Sequence, residues 1–190
     1  MKDAEIKTVY FERPGPQNTA RTLRLAWKRA RELGIKAALV ASTEGETGVK
    51  ACTVLKGLKV IVVTHVTGFK RPDTQELLPE HRESILKLGG TVFTATHAFG
   101  GVGRAVRRRL NTYQTEEIIA NALRIFGQGV KVCIEMALMA ADAGLVRTDE
   151  EIITVAGTDT GADTAVVLRP AHAQDFFSLR VNEIICKPRL

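Results

Sequence analysis

Aromatic side chains are scarce in this sequence, with seven Phe, two Tyr and one Trp among 190 residues. That leaves little material for platforms that stack nucleic-acid bases. Cysteine is scarcer still. Cys52, Cys133 and Cys186 lie far apart, are odd in number and form no CxxC pair. This argues against a disulfide framework or a zinc knuckle and suits a reducing cytoplasm, so each thiol is expected to fill core space. No run approaches the ~18 consecutive apolar residues of a membrane span. Met1-Lys2-Asp3-Ala4-Glu5 lacks the apolar region of a signal peptide. The expectation is a cytoplasmic protein with no membrane partner. Named chemical motifs are also missing. Without HExxH or a Cys/His cluster no metal site is expected, and without GxSxG there is no support for a serine hydrolase. Gly45-Glu46-Thr47-Gly48 lacks the Gly-Lys-Ser/Thr of a P-loop. Gly101-Val102-Gly103 begins a GxGxxG, but Val106 holds the third glycine's place.

What is present is ordinary globular material, 45% hydrophobic and 25% charged. The length fits one domain over residues 1–190. Lys and Arg number 27 against 21 Asp and Glu, a formal charge of +6 that favours anionic partners without naming one. Helix and strand signals alternate. A helix capped by Asn18 runs to Leu33, with Leu23, Ala26, Trp27, Ala30 and Leu33 on one face and Gly34 as its stop. Strands are expected at 37–41, 58–63, 91–95, 151–156, 164–168 and 178–186. Helices are expected at 49–56, 79–88, 102–110 and, capped by Thr115, 116–126. A helix over 130–143 is apolar nearly all round, which suits either a core or a subunit interface. The alternation predicts an α/β sandwich with a mainly parallel sheet. The last two strands lack a long helix between them, so one is expected to run antiparallel at an edge.

In such sheets ligands bind beyond the carboxyl ends of the strands. Four polar loops fall there. They are Ser42-Thr43-Glu44-Gly45-Glu46-Thr47, Thr64-His65-Val66-Thr67-Gly68, Thr96-His97-Ala98, and Gly157-Thr158-Asp159-Thr160-Gly161-Ala162-Asp163-Thr164. Small hydroxyl residues and glycines let backbone N–H groups approach an anion. Each loop alone also reads as turns and caps; four at one edge point to a ligand site. His65 and His97 each follow a threonine at a strand's end. As a pair they could contact a ligand, serve as acid and base, hold a metal, or simply line a loop. Asp159 reads as an Asx turn, while Asp163 stays open between turn and ligand. Arg104, Arg107, Arg108 and Arg109 form a basic cluster that reads as a solvated helix face or a subunit contact. No nucleic-acid-binding motif accompanies it.

Several segments together resemble a known family. They are Tyr10–Thr19 (YFERPGPQNT), Val40–Thr47 (VASTEGET), Thr94–Ala98 (TATHA), Phe126–Val132 (FGQGVKV), Ala156–Ala165 (AGTDTGADTA) and Pro170-Ala171-His172. The chain resembles the small archaeal and bacterial proteins described as pyruvate kinase C-terminal domain-like, or pyruvate kinase alpha/beta-domain proteins. The resemblance implies a three-layer α/β/α fold, strand order 3-2-1-4-5 with the fifth antiparallel, and a homo-oligomer. It also implies that the catalytic barrel of pyruvate kinase is absent, so no phosphoenolpyruvate chemistry is expected. The sugar-bisphosphate loop of pyruvate kinases matches at Ser42, Gly45 and Thr47, but Glu44 and Glu46 bring carboxylates that oppose a phosphate. That ligand is therefore not carried over. The resemblance suggests flavin mononucleotide instead, bound by Ser42, Thr43, Gly45, Glu46, Thr47, Thr64, His65, Thr96, His97, Gly157, Thr158, Gly161, Ala162 and Asp163. Flavin-dependent redox chemistry is the enzymatic version of this expectation, with no catalytic residue assigned. The alternative is a non-catalytic sensor of a sugar phosphate or nucleotide.

Overall fold

The computed structural model describes Asp3 and residues 5–189. Its strands are β1 (Val9–Phe11), β2 (Ala37–Ala41), β3 (Lys59–Val63), β4 (Thr91–Phe93), β5 (Ile152–Ala156), β6 (Thr164–Arg169) and β7 (Arg180–Pro188). Its helices are α1 (Thr19–Leu33), α2 (Glu46–Val54), α3 (Pro79–Lys87), α4 (Gly101–Leu110), α5 (Thr115–Leu123) and α6 (Gln128–Asp142). All seven strands join one sheet in the order β1-β7-β6-β5-β2-β3-β4. The segment β4-β3-β2-β5 is parallel throughout, and β6 runs antiparallel to β5. This is the expected 3-2-1-4-5 order with its fifth strand reversed.

Period-two alternation divides the strand side chains between two apolar layers. Ala38, Val40, Val60, Val62, Val155 and Val167 face one way, against Leu23, Ala26 and Ala30 of α1, Cys52 of α2 and Ile85 of α3. Leu39, Ile61, Val63, Val166 and Leu168 face the other way, against α6 and Ala120 of α5. Helices therefore cover both faces, which is why the central strands are continuously apolar. Helix α6 is buried over most of its length within the single chain, so its apolar surface belongs to the core.

Several boundaries differ from expectation. The antiparallel strand β6 is interior, not an edge; β7 pairs with it antiparallel, and β1 adds a parallel edge strand beyond β7. The tripeptide β1 was not expected, because its only partner lies at the far end of the chain, with Val9 opposite Cys186. Helix α2 starts three residues earlier than expected, since Ser42 Oγ accepts the Gly48 N–H at 3.0 Å and satisfies an orphan donor of its first turn. The cap of α5 is Gln114, in a capping box with Glu117, not Thr115. Asn18 stands at the N-cap position of α1, as expected, but its side chain makes no cap hydrogen bond. It ends a short 3-10 turn and donates its amide to the Arg13 carbonyl at 2.7 Å. Strand β4 stops at Phe93, which frees Thr94 to meet Thr64 side chain to side chain at 2.6 Å. The three thiols are buried and unpaired, and burial pushes Cys133 up to about 12 and Cys186 up to about 11. Among the described residues no helix is long and apolar enough to cross a membrane.

Candidate functional site

Strands β2 and β3 end side by side, Ala41 opposite Val63, and their chains turn out of the sheet at Ser42 and Thr64. Above those ends lies a cleft of about 200 Å³. Its floor is Ala41, Ser42, Thr43, Val63, Thr64 and His65. Phe69 and His97 also line it, as do residues of α6 from Gln128 to Met139, Arg104 of α4 and Arg124, just after α5. A second depression of about 200 Å³ shares Arg104, Arg124 and Lys131 with it. A third, of about 430 Å³, shares Phe69, His97 and Arg104 and adds Thr96 and Gly101.

Two imidazoles meet at the cleft wall. The ring centroids of His65 and His97 are 5.5 Å apart, and Phe69 lies 4.2 Å from His65 and 5.2 Å from His97. His65 Nδ1 bonds Glu76 Oε2 at 2.8 Å, and Lys70 Nζ reaches the other Glu76 oxygen at 2.6 Å. Burial alone would raise the Glu76 carboxyl, but the hydrogen bonds from Lys70 and His65 outweigh it and hold the group below its ordinary range. The Val66 N–H donates to His97 Nε2 at 3.4 Å, a long contact that places the proton of neutral His97 on Nδ1. Burial lowers the His97 pKa; Glu135 opposes that, while His65, Lys131 and Arg104 add to it.

The α6 wall carries an ion pair in an otherwise apolar helix. Lys131 Nζ donates to Glu135 Oε2 at 2.5 Å, one turn apart, and Glu135 Oε1 accepts the Phe99 N–H at 3.0 Å. Both side chains are less than a tenth exposed. Burial lowers the Lys131 pKa, Glu135 counteracts it, and Arg124 and Arg104 lower it further. The arginines are held by neutral partners. The Arg104 guanidinium stacks 4.8 Å over Phe69. Arg124 donates to Gln128 Oε1 at 2.8 Å and to Asn121 Oδ1 at 2.7 Å.

The expected site residues divide into two groups. Ser42, Thr43, Thr64, His65 and His97 come together in the cleft, and Thr96 lies on the adjoining depression. Gly45, Glu46 and Thr47 start α2 beside it. Gly45 has φ 106°, and a Cβ there would stand 2.4 Å from His81 Cβ, because His81 Nδ1 donates to the Glu44 carbonyl at 2.7 Å. Glu46 is exposed and paired with Lys50 at 2.6 Å. The Gly157–Asp163 loop does not line the cleft. Asp163 is fully buried. Its Oδ2 accepts from Gly15 N, Thr158 N and Thr158 Oγ1, and its Oδ1 accepts from Thr164 Oγ1. Ala162 N donates to Thr19 Oγ1 at 2.9 Å, and Gly161 abuts Pro16. The loop thus fastens the start of α1 to the end of β5. Asp163 answers to the structural reading, and Thr158, Gly161 and Ala162 serve the same joint.

Arg124, Lys131, Glu135, Phe69 and Glu76 were not expected at the site. The signal for two of them was there. Lys131 and Glu135 are four apart in a helix that is apolar nearly all round, and buried charges must be paired. Of the basic cluster, Arg107 is neutralised by Glu117 at 2.6 Å, whereas Arg104 turns to the cleft.

The profile of the family described as pyruvate kinase, alpha/beta domain matches residues 20–168 of this sequence. The chain belongs to that family. Among solved structures it is similar to a pyruvate kinase of Cryptosporidium parvum at 13% identity and TM-score 0.41, over 80% of this chain and 23% of that one. It is also similar to the Cryptosporidium parvum pyruvate kinase in complex with ADP, at 13% identity and TM-score 0.39, over 90% of this chain and 24% of that one. An O-ureido-L-serine synthase mutant matches over 50% of this chain and 30% of that one, at 20% identity and TM-score 0.30. The family assignment rests on the sequence match. The chain spans about a quarter of the length of the pyruvate kinases it resembles.

Proposed function

We propose that this domain binds a phosphorylated small molecule, foremost flavin mononucleotide, in the cleft at the carboxyl ends of β2 and β3. The observation that carries this reading is the lining of the cleft. Hydroxyls, imidazoles and an excess of cationic side chains converge where parallel α/β sheets take ligands. The residues fit the parts of the nucleotide. Ser42, Thr43 and Thr64 offer hydroxyl partners for a ribityl chain. Although the sequence has few aromatics, Phe69, His65 and His97 are gathered into one cluster of flat rings able to lie against a heterocycle. Bound flavin would supply redox chemistry, and the protein would bind and orient it.

The test is the visible absorption spectrum of the purified protein, followed by titration with flavin mononucleotide monitored by flavin fluorescence. The expected result is a flavin band as isolated, or saturable binding that His97→Ala weakens. Protein that is colourless and leaves flavin fluorescence unchanged would overturn the flavin reading. Thermal stabilisation by a sugar bisphosphate or a nucleotide in the same series would then put a non-catalytic sensor in its place.

A further inference from the structure

We propose that Arg104, Arg124 and Lys131 are the phosphate seat of this cleft, shaped for the terminal dianion of a phosphomonoester. This rests on the reading that the ligand is phosphorylated, and it says which atoms take the phosphate. The three cations come from α4, the turn after α5, and α6, and all three line both the cleft and the depression beside it. Glu135 is the carboxylate that lines the cleft with them, and the depression adds Glu117, already paired with Arg107. Glu135 gives one oxygen to Lys131 and the other to the Phe99 N–H. Three positive charges against one negative leave two uncompensated, the charge a phosphomonoester brings near neutral pH.

The contrast with other arginines sharpens the point. Arg29 and Arg107 are neutralised by Glu183 and Glu117. Arg104 and Arg124 meet no carboxylate within ion-pair distance among the described residues. They are instead oriented by a ring face and by two amide oxygens. Guanidinium groups that are held in place but not neutralised are preorganised for an oxyanion, which they grip through charge-assisted hydrogen bonds. The competing seat, the Ser42–Thr47 loop, is poorly suited. The Gly48 N–H of its helix start is spent on Ser42 Oγ, His81 fills the space at Gly45, and two glutamates flank the turn.

The experiment compares flavin mononucleotide with riboflavin, which lacks only the phosphate, and adds inorganic pyrophosphate as a minimal probe. Wild type is measured beside Arg104→Gln, Arg124→Gln and the control Arg109→Gln, an exposed arginine of the same helix. Thermal melts establish that each variant folds. The expected result is a loss of about tenfold or more in affinity for flavin mononucleotide and pyrophosphate in the first two variants. Riboflavin binding and the control stay near wild type. If wild type prefers flavin mononucleotide to riboflavin and both variants keep that preference, the seat is wrong while the flavin reading stands. If pyrophosphate binds through the two arginines but flavin mononucleotide does not bind, the seat stands and the flavin reading falls. If neither probe binds wild type, both are overturned.

Discussion

Breaking the Lys131–Glu135 pair tests whether the α6 wall of the cleft is as dry as its geometry indicates. The side chains are 9% and 7% exposed, so removing Glu135 leaves an ammonium in a site that already holds Arg104 and Arg124 nearby. Losing one partner of a buried pair costs about 3–5 kcal/mol, because the survivor keeps its desolvation penalty. Glu135→Gln retains an oxygen for the Phe99 N–H and should sit near the lower bound. Glu135→Leu also orphans that amide, at about 1–3 kcal/mol, and should sit near the upper. With a urea m-value of about 2 kcal/mol/M, the midpoint falls by about 1.5–2.5 M. The double variant Lys131→Met/Glu135→Gln removes both charges, keeps an oxygen for the Phe99 N–H, and should return to within about 1 kcal/mol of wild type. The sign with pH is also fixed. The folded Lys131 pKa lies below its ordinary 10.5, and losing Glu135 lowers it further. The unfolded chain then holds the proton to higher pH than the folded one, so stability rises with pH through that window and the deficit of Glu135→Leu shrinks toward pH 10.5. A Glu135→Leu midpoint within about 0.5 M of wild type would refute the reasoning, since a loss under about 1 kcal/mol is what a hydrated surface pair gives.

Three further outcomes are expected. Gly45→Ala should destabilise by about 2 kcal/mol or more in a urea melt, because the residue has φ 106° and its Cβ would stand 2.4 Å from His81 Cβ; an unchanged midpoint would mean that α3 gives way freely. Asp163→Ala should cost about 3 kcal/mol or more by stranding donors from Gly15, Thr158 and Thr164, and flavin titration of the folded fraction should match wild type, because the loop holds α1 and does not line the cleft. His97 is held below its ordinary 6.5 by burial, so the unfolded chain protonates first as pH falls. The stability this group contributes is full above about 6.5 and is lost on acidification toward the folded pKa. His97→Gln should flatten the denaturation profile below that point, and identical profiles for the two proteins would count against the burial argument.

The fold was legible because its signals are local and strong. Runs such as Lys59–Val63 are continuous and mostly β-branched, and Val130–Ala143 is apolar nearly all round, which marks a covered helix although only the packing assigns it to the core rather than to an interface. What escaped is what depends on distant partners. Val9–Phe11 is β-prone in composition but only three residues long, too short a run to read as a strand by itself; Cys186–Pro188 lying beside it makes it one. The interior place of β6 likewise follows from β7 and β1 stacking beyond it.

The same distinction separates the two halves of the candidate site. Ser42, Thr64 and His65 could be found from sequence because a residue that follows a parallel strand is delivered to the carboxyl edge by topology alone. Composition was not enough to say which loop there faces a ligand. The Gly157–Asp163 loop has the hydroxyls and glycines of a binding loop, yet the Asp163 carboxylate accepts from Gly15 and Thr158, and Ala162 N donates to Thr19 Oγ1, which fastens the loop to the start of α1. The cationic half comes from helices, where direction depends on how each helix packs. Arg104 and Arg107 lie three apart on α4, but one stacks on Phe69 over the cleft and the other pairs with Glu117. Of that half, only Lys131 and Glu135 could have been singled out beforehand, since charges one turn apart in an apolar helix need each other once buried. Lys131 then points to the rest. An ammonium with a single carboxylate partner, set beside two arginines that have none, leaves a charge imbalance that a bound anion would relieve.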